Sequence, residues 1–276
     1  MFTRITTYLF TTVFLLFSAP IGYAAEYSLA IQPILPQEDL KKSFKPLADY
    51  LSKRTGHTIT ITTQRNFLFY WTKMRRKKAG FDLVLDAAHF TDYRTKMQGY
   101  TVLAKLPDTV SFSIVTSEDN FILDTEELIG LRVATMPSPS LGSLRLEELF
   151  ANPMRIPTYV WETNTTVAME NLAAGKIDAA IIPTRLASTY DNLNIVMTTE
   201  PVPHMALSAS PDVPTAVADE IRTALINAHL HPDGKRMIAS LKIDNFEAAN
   251  NESYDGYTFL LQEVFGYDGP VPPPEQ

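Results

Sequence analysis

The chain has 276 residues, 45% of them hydrophobic, and a formal net charge of −7 at pH 7. This length suffices for one large domain or for two lobes, each with a buried core. The acidic balance leaves no broad basic surface and therefore argues against nucleic acid as a partner. The chain contains no cysteine, so it forms neither a disulfide bond nor a thiolate metal site.

The first 25 residues differ in composition from the rest and predict a cleaved secretory signal peptide. Arg4 is their one charged residue, and residues 8–17 form the short apolar run YLFTTVFLLF. That run is too short for a membrane anchor, the alternative, because spanning a bilayer takes about 20 residues. Small residues at Ala24 and Ala25 offer a cleavage site. We therefore expect a periplasmic protein whose mature chain begins near residue 26.

The first half of the mature chain alternates between strand and helix patterns. Leucine and phenylalanine recur at spacings of four, three and four in the first helix, which places them on one face. Pro46 lies inside this helix, so the helix is either kinked or made of two shorter pieces. Strands are predicted at residues 27–31, 57–62 and 81–85, and helices at residues 37–54 and 66–78.

The second half repeats this alternation, which predicts an α/β fold with parallel sheets and right-handed crossovers. Strands are predicted at residues 112–116, 132–135, 158–161, 177–182, 195–198 and 205–208, and helices at residues 123–128, 144–150, 165–174 and from residue 214 onward.

Two such halves, joined near residues 110–112 and again near residues 201–203, predict two lobes with two crossings. We expect lobe 1 to comprise residues 26–111 and 204–268 and lobe 2 to comprise residues 112–203. The proline-rich tail, residues 269–276, is predicted to be disordered. Ligands of such sheets lie beyond the carboxyl ends of the strands, and two facing lobes form a cleft that closes by hinge motion.

The segment MPSPSLG, residues 136–142, joins a predicted strand to a predicted helix. A helix N-terminus offers unpaired N–H groups and a partial positive charge, which suit an anion. Serine is also an ordinary N-cap residue, so the same letters fit a plain loop. The segment alone therefore permits either an anion cradle or an ordinary helix start.

Catalytic signatures are missing from the sequence. It has no Gly-x-Ser-x-Gly, no His-Glu-x-x-His and no phosphate loop ending in Gly-Lys-Ser/Thr. We therefore expect no enzyme activity, no cofactor and no metal. His89, three residues after Asp86, is either a ligand contact in the cleft or half of a structural pair.

Six stretches resemble the periplasmic solute-binding proteins of phosphate/phosphite/phosphonate-type ABC transporters. In family order they are YSLAIQP, FKPLADYLSKRTGHTITI, AGFDLVLDAAHF, DTEELIGLRVATMPSPSLG, NLAAGKIDAAII and DEIRTALINAHLHPDGKRMIASLKIDNFEAANNESYD. The resemblance covers nearly all of the mature chain. It implies a two-lobed, type II periplasmic binding fold with a hinged inter-lobe cleft. It also implies capture of a small anion for an inner-membrane ABC permease, and we expect a monomer.

The family's anion pocket is built on an Asp-Pro-x-Ser-Thr-Ser-Gly turn at a helix start, which the MPSPSLG segment resembles in part. Aligned on Gly142, Met136 replaces the acid, Pro139 the first hydroxyl residue and Leu141 the third, while Ser140 keeps the second. Ser138 and Ser143 lie nearby but out of register. The resemblance thus implies a cradle with its backbone retained and its hydroxyls depleted.

Further ligand contacts follow from the same resemblance. Phe67, after Asn66, stands where the family has an aromatic residue, and Thr165 stands at the position of a family histidine. Thr184 follows the IDAAII strand, where some members carry acidic residues. In full, the predicted ligand contacts are Asn66, Phe67, Asp86, His89, Phe90, Ser138, Ser140, Gly142, Ser143, Thr165 and Thr184.

These differences from the family's pocket residues affect which ligand is expected. Fewer hydroxyls mean fewer donors for a phosphonate dianion, and Asp86, if it faces the cleft as a free carboxylate, would repel one. We therefore expect a ligand that is cationic, zwitterionic or more apolar than a plain phosphonate. The alternative is that Asp86 is bound to a backbone N–H group or to an arginine.

Two rival functions share this fold. One is a periplasmic accessory that presents its ligand to a membrane sensor kinase and has no role in transport. Neighbouring genes separate this hypothesis from the first, because a permease and an ATPase favour transport and a histidine kinase favours sensing. A weaker third hypothesis is an enzyme whose turnover depends on Asp86 and His89.

Overall fold

The computed structural model describes residues 24–76 and 80–270. The predicted signal peptide up to residue 23, and residues 271–276 of the predicted tail, lie outside the described residues. Two five-stranded sheets organise the described chain, and a pair of two-residue strands links them. We call the first sheet with the helices packed on it lobe 1, and the second sheet with its helices lobe 2.

The first half of the chain supplies most of lobe 1 and the entry to lobe 2. Its elements are β1 (Glu26–Ile31), α1 (Gln37–Thr55), β2 (Thr58–Thr62), α2 (Phe67–Met74), β3 (Leu83–Asp86), α3 (Ala88–Gln98), β4 (Thr101–Lys105), β5 (Thr109–Val110), β6 (Phe112–Ser117) and β7 (Arg132–Thr135), with a 3-10 helix at Thr125–Leu128.

The second half completes lobe 2 and then returns to lobe 1. Its elements are α4 (Leu141–Leu149), β8 (Thr158–Trp161), α5 (Thr165–Ala173), β9 (Ala179–Pro183), α6 (Thr184–Ala187), β10 (Leu193–Thr198), β11 (Val202–Pro203), β12 (Ala206–Ala209), α7 (Thr215–Ile226) and α8 (Pro232–Leu241), with 3-10 helices at Ala228–Leu230, Asn251–Tyr254 and Tyr257–Leu261.

Strand order is β2-β1-β3-β12-β4 in lobe 1 and β10-β6-β9-β7-β8 in lobe 2. The β1, β2 and β3 strands are parallel, as are β7, β8 and β9. The prediction of parallel strands is wrong for β6, β10 and β12, which pair antiparallel with their neighbours. These three strands stand next to the crossings, where the chain enters or leaves a lobe without a helical crossover to restore its direction.

The two crossings lie side by side. β5 leads from lobe 1 to lobe 2, β11 leads back, and they pair antiparallel through Val110 with Val202 and Thr109 with Pro203. After the return, α7 and α8 pack against α1 of lobe 1. Such a paired, two-strand connection is a suitable hinge, because a small change of backbone angles there reorients one whole lobe.

Local differences from the predicted elements have physical causes. Neither α3 nor β4 is predicted from the sequence. All residues from Ala88 to Arg94 are buried, so the start of α3 lacks the alternation of polar and apolar faces that signals a helix. The apolar run of β4 is too short to identify a strand. α1 continues through Pro46 as one helix, so the alternative of two pieces is wrong.

Each lobe has its own hydrophobic clusters, and one cluster of lobe 1 also takes in residues of lobe 2. Alternate residues of β1 and β3 point to opposite faces of the first sheet, and one face packs under α1, α7 and α8. The other face packs under α2 and α3, and this cluster also contains Leu141 and Leu144 of α4, from lobe 2. We call the contact between residues 136–145 of lobe 2 and this face of lobe 1 the inter-lobe seam.

The C-terminal segment, residues 255–270, lies along α2 and α3. The N–H of Thr258 donates to Asp92 at 2.8 Å, and the Tyr93 hydroxyl donates to Asp268 at 2.6 Å. The 3-10 helix Tyr257–Leu261 also packs against α4 and buries Leu261 completely. The segment thus covers one side of the inter-lobe seam. None of the helices in the described part of the chain combines the length and the apolar character of a membrane span.

Candidate functional site

Helices α3 and α4 begin on opposite sides of the inter-lobe seam. α3 follows β3 of lobe 1, and α4 follows β7 of lobe 2 after the MPSPSLG segment. His89 in the first turn of α3 lies 3.1 Å from the carbonyl oxygen of Pro139, measured from its Nε2 atom. The carboxyl ends of strands from both sheets therefore meet at one place, where a ligand of such a fold is expected.

Ser140 is the N-cap of α4, and its hydroxyl is used within the MPSPSLG segment. Its Oγ atom accepts from the N–H of Ser143 at 3.2 Å and donates to the carbonyl oxygen of Met136 at 3.0 Å. The hydroxyl of Ser143 donates to the carbonyl oxygen of Ser140 at 2.9 Å. Both serines are buried and hold the helix start in shape. The N–H groups of Leu141 and Gly142 have no partner within the helix because they lie in its first turn, where no helical carbonyl precedes them.

Gly142 allows the close approach of α4 to β6. A Cβ atom at this position would lie 3.1 Å from Cε1 and 3.3 Å from Cδ1 of the Phe112 ring. Such distances are shorter than ordinary carbon–carbon contacts, so a side chain here would displace the helix or the ring. Glycine at this position thus fixes how near the start of α4 lies to the sheet.

His89 is neutral and fully buried. Burial lowers its pKa to about 3, against a weaker opposing effect of the bond to Pro139, and the charge of Arg145 lowers it further. A carbonyl oxygen only accepts, so Nε2 carries the proton, and Nδ1 is left buried without a partner. The ring lies 4.0 Å from that of Phe90, centroid to centroid.

Asp86 is not a free carboxylate in the cleft. It is fully buried, and its Oδ2 atom accepts from Arg94 Nε at 3.0 Å and from the Tyr70 hydroxyl at 2.7 Å. Thr91 donates to Oδ1 at 3.2 Å. Burial raises the pKa of Asp86, and the Arg94 charge opposes that rise. Of the predicted alternatives, the structure therefore shows Asp86 bound to an arginine. Asp86 is not the free carboxylate that would repel a phosphonate.

An aromatic layer backs the seam in lobe 1. Asn66 caps α2 by accepting from the N–H of Phe69 at 3.0 Å. Phe67 is buried and stacks on Phe90, with ring centroids 6.3 Å apart. The structure thus brings Phe67, His89 and Phe90 together, while Asn66 stands half-buried at the helix start. That these residues contact a ligand stays a prediction.

The remaining predicted contacts are Ser138, within the MPSPSLG segment, and Thr165 and Thr184, elsewhere in lobe 2. Ser138 is half-buried beside Glu147, whose pKa is raised by burial and lowered in part by Ser138. Thr165 begins α5 and is half-buried. Thr184 accepts from Ser111 at 2.9 Å, which places it beside the crossing.

Arg145 is a buried charge that sequence reasoning did not identify. It is 8% exposed, with Nη1 2.7 Å from Glu148 and Nη2 3.4 Å from the carbonyl oxygen of Glu200. In the sequence, an arginine three residues before a glutamate on a helix resembles an ordinary surface ion pair. The available signal in the sequence was that Arg145 lies four residues after Leu141, and therefore on the same face of the helix as this buried leucine. Across the described ranges, His, Asp and Glu side chains form no group of three or more placed to hold a metal ion.

Comparison with known proteins identifies the family and the fold. A family model described as "ABC transporter, phosphonate, periplasmic substrate-binding protein" matches residues 29–254. The fold is similar to that of PhnD1 from Prochlorococcus marinus in complex with methylphosphonate, with a TM-score of 0.73, 14% identity, and coverage of 87% of this chain and 98% of that one. A comparison with curated protein sequences finds no match.

Two further solved structures share the fold. One is a binding protein component of an ABC phosphonate transporter from Pseudomonas aeruginosa, with a TM-score of 0.70, 12% identity, and coverage of 84% and 83% of the two chains. The other is a Xanthomonas citri protein bound to ATP, with a TM-score of 0.69, 15% identity, and coverage of 87% of this chain and 100% of that one. At such low identity these similarities establish the two-lobed fold.

Proposed function

The chain belongs to the family of periplasmic substrate-binding proteins of phosphonate ABC transporters, and we propose that it captures a small phosphorus oxyanion between its lobes for an inner-membrane permease. The observation that carries this proposal is the start of α4 at the inter-lobe seam. There the N–H groups of Leu141 and Gly142, which have no acceptor within the helix, and the helix dipole favour an anion. Ser140 and Ser143 hold that geometry through bonds within the segment.

The charge of Asp86 no longer argues against an oxyanion. Because Arg94 neutralises this buried carboxylate, the repulsion expected for a free one is largely cancelled. The other departure remains, since Pro139 and Leu141 replace hydroxyl donors with apolar groups. We therefore propose an organic phosphonate with a small apolar substituent, rather than inorganic phosphate, as the preferred ligand.

Binding requires the seam to open and close. In the closed arrangement Leu141 and Leu144 are buried against lobe 1, so a ligand reaches the start of α4 after the hinge has opened. A ligand that bridges both lobes then favours the closed population, because only that state provides contacts from both sides. Closure would present one continuous surface of both lobes to the permease.

A thermal-shift panel on residues 26–276 tests the proposal. The panel contains methylphosphonate, aminoethylphosphonate, phosphite, phosphate, sulfate, amines and amino acids. A ligand at 100 times its Kd stabilises the folded state by about 2.7 kcal/mol, which raises the melting temperature by roughly 5–11 °C for a chain of this size. Stabilisation by a phosphonate supports the proposal, and stabilisation by amines or amino acids alone overturns it.

A further inference from the structure

Arg145 lies on the face of α4 that closes onto lobe 1. Leu144 and Arg145 lie three and four residues after Leu141, so both side chains neighbour Leu141 on the surface of the helix. Both leucines belong to the cluster shared with lobe 1, and Arg145 itself is 8% exposed. The positive charge is therefore held at the inter-lobe seam and not on the outer surface of lobe 2.

The partners of Arg145 leave its charge available. Its carboxylate partner Glu148 is 46% exposed, and its second contact is a long one, 3.4 Å to a backbone carbonyl. Arg94 provides a contrast, because it shares a fully buried carboxylate and a tyrosine hydroxyl. Because Glu148 is half exposed, its attraction to Arg145 is screened more strongly than that of a fully buried pair, and another anion can replace it.

The position of Arg145 also suits the start of α4. Side chains of a helix point back toward its N-terminus, so a long side chain at Arg145 can extend over the first turn. That turn carries the N–H groups of Leu141 and Gly142. The pKa of His89 is lowered chiefly by burial and in part by the Arg145 charge, which is thus felt on the lobe 1 side of the seam.

We propose that Arg145 contacts the bound oxyanion directly and supplies the positive charge that the hydroxyl-poor MPSPSLG segment lacks. Glu148 holds the guanidinium when no ligand is present and is exchanged for the ligand on binding. A guanidinium offers a planar fork of donors that matches two oxygens of a phosphonate. This inference rests on the proposed function and makes Arg145 a determinant of preference for anions.

The test is calorimetric titration of wild type and four variants with methylphosphonate and with phosphate. Arg145→Gln is expected to weaken binding about 10- to 100-fold, as for loss of hydrogen bonds to a charged group. Arg145→Lys is expected to bind with intermediate affinity, because it keeps the charge and loses the fork. Glu148→Gln is expected to tighten binding about 2- to 5-fold by removing the competing carboxylate.

Arg155→Gln is the matched control. Arg155 is also an arginine of lobe 2 paired with a glutamate, Glu126, but both partners are more than half exposed. Its substitution is expected to leave the affinity unchanged. Melting temperatures of the ligand-free variants show whether each one folds, and Glu148→Gln tests the exchange without altering Arg145.

Three results have distinct meanings. Weaker binding by Arg145→Gln together with tighter binding by Glu148→Gln supports the inference. Unchanged affinity in a folded Arg145→Gln or Arg145→Lys variant overturns it while the proposed function stands. If wild type binds neither phosphonate nor phosphate, the proposed function fails and the role of Arg145 fails with it.

Discussion

His89 of lobe 1 donates a hydrogen bond to the carbonyl oxygen of Pro139 in lobe 2, with the two atoms 3.1 Å apart. The bond joins the first turn of α3 to the segment that leads into α4. In the proposed binding cycle, opening of the hinge breaks this bond, and a ligand at the start of α4 replaces or repositions it. Under that proposal the hydrogen bonding of this imidazole changes when the cleft opens.

Replacing His89 with glutamine is expected to flatten the dependence of stability on pH. The unfolded chain takes up a proton on His89 near pH 6.5, whereas the folded chain does so at a pKa of about 3. The unfolding free energy therefore decreases as pH falls from about 6.5 toward 3, because the unfolded chain binds this proton and the folded chain does not. Between pH 7 and pH 5, wild type should lose about 2 kcal/mol more unfolding free energy than His89→Gln.

Urea denaturation at the two pH values measures that difference. Glutamine can still donate to the Pro139 carbonyl and does not titrate, so it isolates the effect of protonation. Equal losses in wild type and His89→Gln would show that the imidazole is not buried in its neutral form.

Asp86→Asn is expected to destabilise lobe 1 severely. It leaves Arg94 buried without its counter-charge, and removing one partner of such a pair costs about 3–5 kcal/mol. The control is Asp219→Asn, which breaks an exposed pair with Arg222 and should cost less than about 1 kcal/mol. Urea midpoints compare the two variants, and similar small losses would contradict a buried pair.

Gly142→Ala is expected to destabilise the fold by about 1–3 kcal/mol, as overpacking does. The added methyl group meets the Phe112 ring at 3.1 Å, so α4 or the ring must shift. Phe112→Leu in the same chain should recover part of the loss by making room. Thermal denaturation measures both variants, and an alanine tolerated at no cost would refute the close approach.

Leu261→Ala is expected to cost about 2–5 kcal/mol, because it opens a cavity where the C-terminal segment meets α3 and α4. Phe265→Ala is the control within the same segment. Its side chain is 86% exposed, so the change should stay within about 0.5 kcal/mol. Equal effects on the urea midpoint would indicate that the segment is not packed as described.

Much of the fold follows from local sequence patterns. Strands β1, β2, β7 and β8 and helices α1, α5 and α7 carry clear periodicities or apolar runs, and the short helix predicted near residue 123 is present, with Asp124 as its N-cap. The helix predicted from Leu144 begins three residues earlier because Ser140 caps it. Helix α3 was not predicted, because its first two turns are buried on every side and therefore show no alternation of polar and apolar faces.

The site was harder to predict, because its contacts join residues far apart in sequence. The partner of Asp86 is Arg94, eight residues away on a helix that the sequence did not reveal. The bond from His89 to Pro139 spans fifty residues and two lobes. Local patterns locate the strand ends where a ligand is expected, but only the packed chain shows which side chains already bind one another.

The distance between the lobes shows directly whether the ligand binds between them. Because the chain has no cysteine, spin labels on Leu68→Cys of α2 and Thr163→Cys before α5, both exposed, report that distance alone. Pulsed electron paramagnetic resonance is recorded with and without saturating methylphosphonate. If the ligand binds between the lobes, it narrows the distribution of label-to-label distances to a single short distance. A distribution unchanged by the bound ligand would contradict binding between the lobes.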